Sequence, residues 1–396
     1  MKRFLLGVCA GLAAGYTIVR TLEAVREVRE PSPALAADAA RYAATRRALE
    51  VAESVRGIAA FLAFAQGAPG RALAAATHRA PAWLRPALFA GPVVFVTALV
   101  DLPVAYVQDF TLERRYGLSE QSREAWLLDY AKSTAISTAV VAVLATLFGA
   151  AVRRAPKTWP LLASLGALPL FVLANVVVPL YVLPLFNTFE PVEGSLERRL
   201  RALAARFGVG GAEILRMDMS KQTRKANAFV TGIARTHRIV LGDTLIEALP
   251  ENENAFVVAH ELGHYVSKDT WRSIGIGEAL SCALFLCAQF ATARGDREEL
   301  RESPLLLARF YAAMVLGMQV LRPLLFAFSR SREWAADRFA LAATRDAASG
   351  ASAFRRLRDQ NLADEDPPAW YEFFFSSHPS LRARIAALEA ASPSGA

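Results

Sequence analysis

A chain of 396 residues with 54% hydrophobic residues and a mean hydropathy of +0.26 is too apolar for an ordinary soluble enzyme. Its formal net charge of +8 is spread without the basic stripe and interleaved aromatics of a nucleic-acid binder. Nucleic acid is therefore excluded as a partner, and membrane lipid beside basic loops is expected. Cys9, Cys282 and Cys287 all lie in apolar runs without metal-ligand spacing, which excludes a cysteine zinc site and a disulfide framework.

Residues 4–19, preceded by Lys2 and Arg3, read as a retained anchor helix. The small-residue stretch at Ala34 lies too far downstream, beyond a charged segment, for ordinary signal cleavage. Residues 57–76 are apolar but interrupted by Gly67, Pro69 and Gly70, so a broken or interfacial helix is expected. Residues 86–107, 134–152 and 159–186 are firmer spans. The last contains Asn175, Pro179 and Pro184 and should kink.

After Phe186 charges of both signs appear. Residues 196–207 have helical periodicity, 226–230 and 238–241 read as strands of a hairpin, and 254–267 as a helix. Two more apolar runs follow at 274–293 and 305–328, and the remainder is polar again. The expected fold class is a mainly α, polytopic membrane protein with six or seven transmembrane helices. Its four parts are an N-terminal membrane region, 1–186, with four or five spans; a soluble segment, 187–272; a two-helix membrane hairpin, 273–328; and a second soluble segment, 329–396. Because a hairpin separates them, both soluble segments face the same side.

The sharpest chemical signal is His260-Glu261-Leu262-Gly263-His264. Residues four apart share a helix face, so both imidazoles can bind one Zn²⁺ while Glu261 serves as general base for a water. A third ligand must come from elsewhere. Glu333 is the best candidate, because it lies on a helix leaving the last span, with Asp337 one turn further on the same face. Asp337 can accept the free N–H of a metal-binding histidine. His378, before Pro379, can donate to an oxyanion. The strand at Asn227 and Ala228 can border an extended substrate. His78 and His237 read as ordinary surface or interfacial residues.

At these residues the sequence resembles the CAAX prenyl protease 1 family of integral-membrane zinc metallopeptidases. The resemblance runs from about residue 100 to 385. It includes Leu102-Pro103, Pro184 to Phe189, Lys225 to Phe229, Arg238 to Leu245, the zinc pentapeptide, Arg330 to Asp337, and His378-Pro379. It implies that His260, His264 and Glu333 hold one zinc ion and that Glu261 is the base. It implies that Asn227 and Ala228 border the substrate strand and that His378 lies at the site. It also implies a gluzincin-type domain with a small sheet beneath a barrel-like helical chamber, and removal of three residues from isoprenylated C-termini. Lys268-Asp269 follows the zinc helix where relatives often carry a further histidine, and neither is expected to touch the ligands.

A membrane zinc endopeptidase acting on peptides or proteins, lipid-modified ones among them, is thus the leading reading. A quality-control metalloprotease and a non-catalytic metal-binding scaffold are the alternatives; the intact Glu261 argues against the scaffold. The Ala/Arg-rich composition looks bacterial, which places the chain in an inner membrane. The basic loop Arg153 to Lys157 argues for a site domain outside, whereas the resemblance places it on the cytoplasmic side, which is the expectation carried forward.

Overall fold

The computed structural model describes residues 35–232, 237–292 and 305–392. The expected anchor at residues 4–19 lies outside them. The first described helices are α1 (Leu35–Gln66) and α2 (Ala68–Thr77). The chain breaks between them where Gly67 and Pro69 stand, within the weak apolar stretch. A Cβ on Gly67 would meet the Ala63 carbonyl oxygen, so this bend requires glycine.

Five described helices are long and apolar enough to cross a bilayer. They are α3 (Arg85–Arg115), α4 (Arg123–Arg154), α5 (Trp159–Leu185), α9 (Asp269–Thr292) and α10 (Leu305–Thr344). Two leave the α-helical ladder near a proline. A π-helical turn, Tyr106–Thr111, follows Pro103 in α3, and another, Val178–Val182, contains Pro179 in α5. Proline lacks the N–H that the ladder needs, and a wider turn absorbs the mismatch. α4 is capped by Ser122, whose Oγ accepts from the Ala125 N–H at 3.1 Å.

α1 escapes a hydropathy reading because it carries Arg46, Arg47, Glu50, Glu53 and Arg56. Several of these charges have partners. Arg46 pairs with Asp109 at 3.1 Å, and Arg56 with Asp101, both on α3. Near the same end, buried Glu113 accepts from the Tyr42 hydroxyl at 2.5 Å and pairs with Lys225 at 2.8 Å. α1 and α3 are thereby tied to the chain segment that leads into the site.

The polar segments form one unit around a four-stranded sheet. Its strands are β1 (Phe189–Pro191), β2 (Glu213–Met217), β3 (Ala228–Thr231) and β4 (Arg238–Gly242), in the order β1-β2-β4-β3. The expected hairpin is β3 antiparallel to β4, and β3 is an edge. β2, which the sequence reading did not separate, runs parallel to β4. Between the first two strands α6 (Gly194–Arg206) buries Leu196, Leu200, Leu203 and Ala204, one stripe of helical spacing.

Short α7 (Asp243–Ala248) leads to α8 (Glu251–Val266), whose Phe256, Val258, Ala259 and Leu262 are fully enclosed. α10 continues beyond its apolar part, and its Ala340 and Ala343 enter the same core, with Ala336 buried beside them. α11 (Ala347–Asn361), α12 (Ala369–Phe375) and α13 (Leu381–Ala391) complete the unit.

Candidate active site

α8 and α10 cross at Gly263. A Cβ there would lie 3.1 Å from the Ala336 Cα and 3.2 Å from Phe339. The glycine of the pentapeptide therefore allows close helix contact rather than a turn, and this approach carries Glu333 to the two imidazoles.

The resulting geometry is compact. His260 Nε2 and His264 Nε2 are 3.3 Å apart. Glu333 Oε2 lies 3.3 Å from His260 Nε2, and Glu333 Oε1 lies 3.3 Å from His264 Nε2. His260 and Glu333 are buried, while His264 opens partly to the cleft.

The other ring nitrogens fix the tautomers. His260 Nδ1 donates to Asp337 Oδ1 at 2.8 Å, and His264 Nδ1 to Asp269 Oδ2 at 3.0 Å. Both Nε2 atoms in the neutral rings then carry lone pairs aimed at one point, and Glu333 adds a carboxylate. Glu333 Oε2 is buried without a well-formed hydrogen bond. Three groups able to act as ligands thus converge on one point, where either a shared proton or a metal ion can offset their mutual repulsion. A tetrahedral zinc site with legs of about 2.0–2.1 Å separates its ligand atoms by about 3.3–3.4 Å. The donor set and its spacing therefore fit such an ion, and His260, His264 and Glu333 are the residues able to hold it.

Two supporting residues were missed in the sequence. Asp269 was expected to stand clear of the ligands, yet it is buried against His264 and also accepts from Arg332 Nε at 2.7 Å. Lys268, at φ 55°, turns the chain sharply between α8 and α9 and swings Asp269 back onto the site. Arg384, buried on α13, grips Asp337 through two bonds of 2.8 and 2.7 Å. Its cation lies 4.2 Å from the Phe354 ring centroid. Arg384 also comes within 3.4 Å of His260 Nδ1, but that approach is between two donors and adds no bond. The only sequence signal for Arg384 was its place six residues after His378.

Glu261, Asn227, Ala228 and His378 line one cleft of about 460 Å³ with His260 and Glu333. Burial pushes the Glu261 carboxyl upward, and the neighbouring imidazoles pull it down less strongly. His378 stands at the exposed lip, with Nε2 3.4 Å from Glu333 Oε1 and Nδ1 2.9 Å from the Ser377 hydroxyl. Partial desolvation against the cleft wall lowers its pKa, as does the Arg384 cation, against the opposing pull of Glu333; the ring is therefore neutral near pH 7. For His260, burial opposes protonation, but the hydrogen bonds with Asp337 and Glu333 outweigh it and raise the pKa to about 9.

Residues 191–392 match Peptidase family M48. The chain belongs to that family. Residues 29–188 match the CAAX prenyl protease N-terminal family of five membrane helices. Among M48 relatives, the "Uncharacterized metalloprotease YhfN" of Bacillus subtilis is 30% identical over 302 residues, covering 73% of this chain and 70% of that one. CAAX prenyl protease 1 of Saccharomyces cerevisiae is 33% identical over 181 residues, 45% of this chain and 40% of that one. The crystal structure of S. mikatae Ste24p superposes with a TM-score of 0.81 at 21% identity, covering 97% of this chain and 99% of that one. The mainly α, polytopic membrane fold expected from the sequence is thus borne out, and the protein is a membrane metallopeptidase acting on peptide or protein substrates.

Proposed function

We propose that this M48 protein is a zinc endopeptidase, binding one ion per chain through His260, His264 and Glu333. The observation that carries the reading is the convergence of the two imidazole Nε2 atoms, 3.3 Å apart, on the Glu333 carboxylate, which places a separate oxygen 3.3 Å from each ring. The chemistry a zinc ion supplies in such a site is acidification of water and polarisation of the scissile carbonyl. Glu261 lines the cleft beside both histidines and takes the proton from the attacking water. Neutral His378 donates to the oxygen that gains charge. Asp337 and Asp269 hold the two imidazoles with Nε2 facing the ion, and Arg384 keeps Asp337 in place. Asn227 and Ala228 border the strand on which an extended substrate lies.

The names of the relatives favour carboxyl-terminal processing of CAAX-type, prenylated peptides as the substrate class. We place the protein in a bacterial inner membrane with the site towards the cytoplasm, following the family resemblance. The basic loop from Arg153 to Lys157 is the sequence argument against that orientation. A cysteine at Ala155 that reacts with an impermeant reagent on whole cells supports the cytoplasmic site, and one that does not reverses it.

Metal analysis of the purified protein tests the core reading. One zinc per chain, loss of peptide cleavage on chelation, and a Glu261→Gln protein that keeps zinc but does not cleave are expected. A Glu261→Gln protein that cleaves like the parent would remove the assigned base. Cleavage of an unfolded membrane protein but not of prenylated C-terminal peptides would shift the substrate class to quality control.

A further inference from the structure

The open edge of β3 is shorter than the strand itself. The Gly242 N–H donates to the Asn227 carbonyl at 2.9 Å, which continues the β3–β4 register by one pair. In an antiparallel ladder backbone groups alternate sides. Asn227, Phe229 and Thr231 therefore turn towards β4, while Ala226, Ala228 and Val230 turn towards the free edge.

At Ala226 that edge is already taken. The Asn361 side-chain carbonyl accepts from the Ala226 N–H at 2.8 Å, and its amide donates to the Ala226 carbonyl at 3.2 Å. These are the two bonds a neighbouring strand would make. The preceding side chain, Gln360, donates to the Arg224 carbonyl at 2.5 Å, the next position along the same edge. Both carboxamides come from the last turn of α11. Leu362, at φ 46° and packed among Tyr42, Leu49, Leu112 and Leu118, fixes where that turn ends.

We propose that Asn361 is a specificity-determining residue that ends the substrate strand. The inference rests on the peptidase reading above. An extended peptide lying antiparallel on β3 bonds at Ala228 and Val230 and points its C-terminus towards Asn361. Past the residue opposite Ala228, about one more residue fits before the edge is occupied. Ala363, Asp364 and Pro367 line the cleft at this end. The substrate must end there or turn away. The site therefore takes short carboxyl-terminal tails, and the limit lies in a side chain rather than in the metal centre.

Full-length, zinc-loaded protein in lipid nanodiscs is tested on farnesyl-cysteine peptides with two to six residues after the cysteine. In the parent, kcat/KM falls at least tenfold once the tail exceeds the limit by two residues. Asn361→Ala reduces that step to threefold or less. A flat length profile in the parent, or an unchanged step in a folded Asn361→Ala protein, overturns the proposal.

Amide exchange across residues 224–231 gives a readout independent of cleavage. In the Glu261→Gln protein without peptide, the Ala226 N–H is protected while those of Ala228 and Val230 exchange. Adding a short-tailed peptide protects the latter two. If no probe is cleaved, the assigned activity fails and the edge is judged on exchange alone. Rapid exchange at Ala226, or no protection at Ala228 with peptide bound, defeats the inference even if cleavage is normal.

Discussion

α5 and α8 are both apolar helices, yet they use their apolar side chains differently. α5 has a window of mean hydropathy 2.3 and leaves Leu161, Leu165 and Tyr181 more than half exposed. In the bilayer those side chains meet lipid, so hydropathy matters more than shape. α8 has fewer apolar residues and encloses Phe256, Val258 and Leu262 completely. There each side chain fills a defined space, and the polar residues between them are aimed. One region is constrained by composition and the other by geometry. Substitutions should therefore have small effects in the first and large ones in the second.

The largest effect expected is from Glu333→Ala, which removes one of three converging acceptors. Peptide cleavage should fall by about a thousandfold or more, with zinc lost on dialysis. Leu165→Ala in α5 should leave cleavage within about twofold, because its side chain packs against lipid. Comparable losses from both would erase the distinction.

Next is the grip on the imidazoles. Arg384→Met keeps the stem over Phe354 but leaves Asp337 buried without its cation. That should cost about 3–5 kcal/mol of stability and weaken zinc binding by about 10- to 100-fold, measured by competition with a chelator. Protons test the same grip. With the His260 pKa raised to about 9, the proton competes with metal throughout the neutral range. Apparent zinc affinity should therefore fall at least about tenfold for each pH unit lowered below 9, and level off above 9. The fall is steeper where His264, whose pKa is raised against burial by Glu333 and Asp269, holds a proton as well. A flat profile between pH 6 and 8 would mean that His260 holds no competing proton.

The legible parts of the sequence are those with local periodicity. Firm spans announce themselves by hydropathy, and His260, His264, Glu333 and Asp337 by i, i+4 spacing on helices. What stayed hidden is tertiary. α1 reads as polar because Arg46 and Arg56 find their counter-charges on another helix. β2 pairs with β4 in parallel, which leaves no hairpin signature, and β1 is only Phe189–Pro191. Asp269 reaches His264 through a left-handed residue that is a lysine, not the glycine a reader looks for. Arg384 meets Asp337 across 47 residues of chain.

One chemical change, glycine to alanine, sharpens the contrast between regions. At Gly263 the added methyl meets the Ala336 backbone at 3.1 Å and Phe339 at 3.2 Å, so α8 and α10 must separate by tenths of an ångström. Overpacking of this kind costs about 1–3 kcal/mol. Because the separation also moves Glu333 from the imidazoles, zinc affinity should fall about tenfold along with the midpoint of thermal unfolding. At Gly166, inside α5, the same methyl meets nothing within 4 Å. Alanine is the better helix former by about 1 kcal/mol in water, and less of that advantage is expected in lipid. Gly166→Ala should therefore leave zinc affinity and cleavage unchanged within error and keep or slightly raise the unfolding midpoint. A loss at Gly166 matching that at Gly263 would mean that α5 has a protein neighbour on that face, and that lipid is not what covers it.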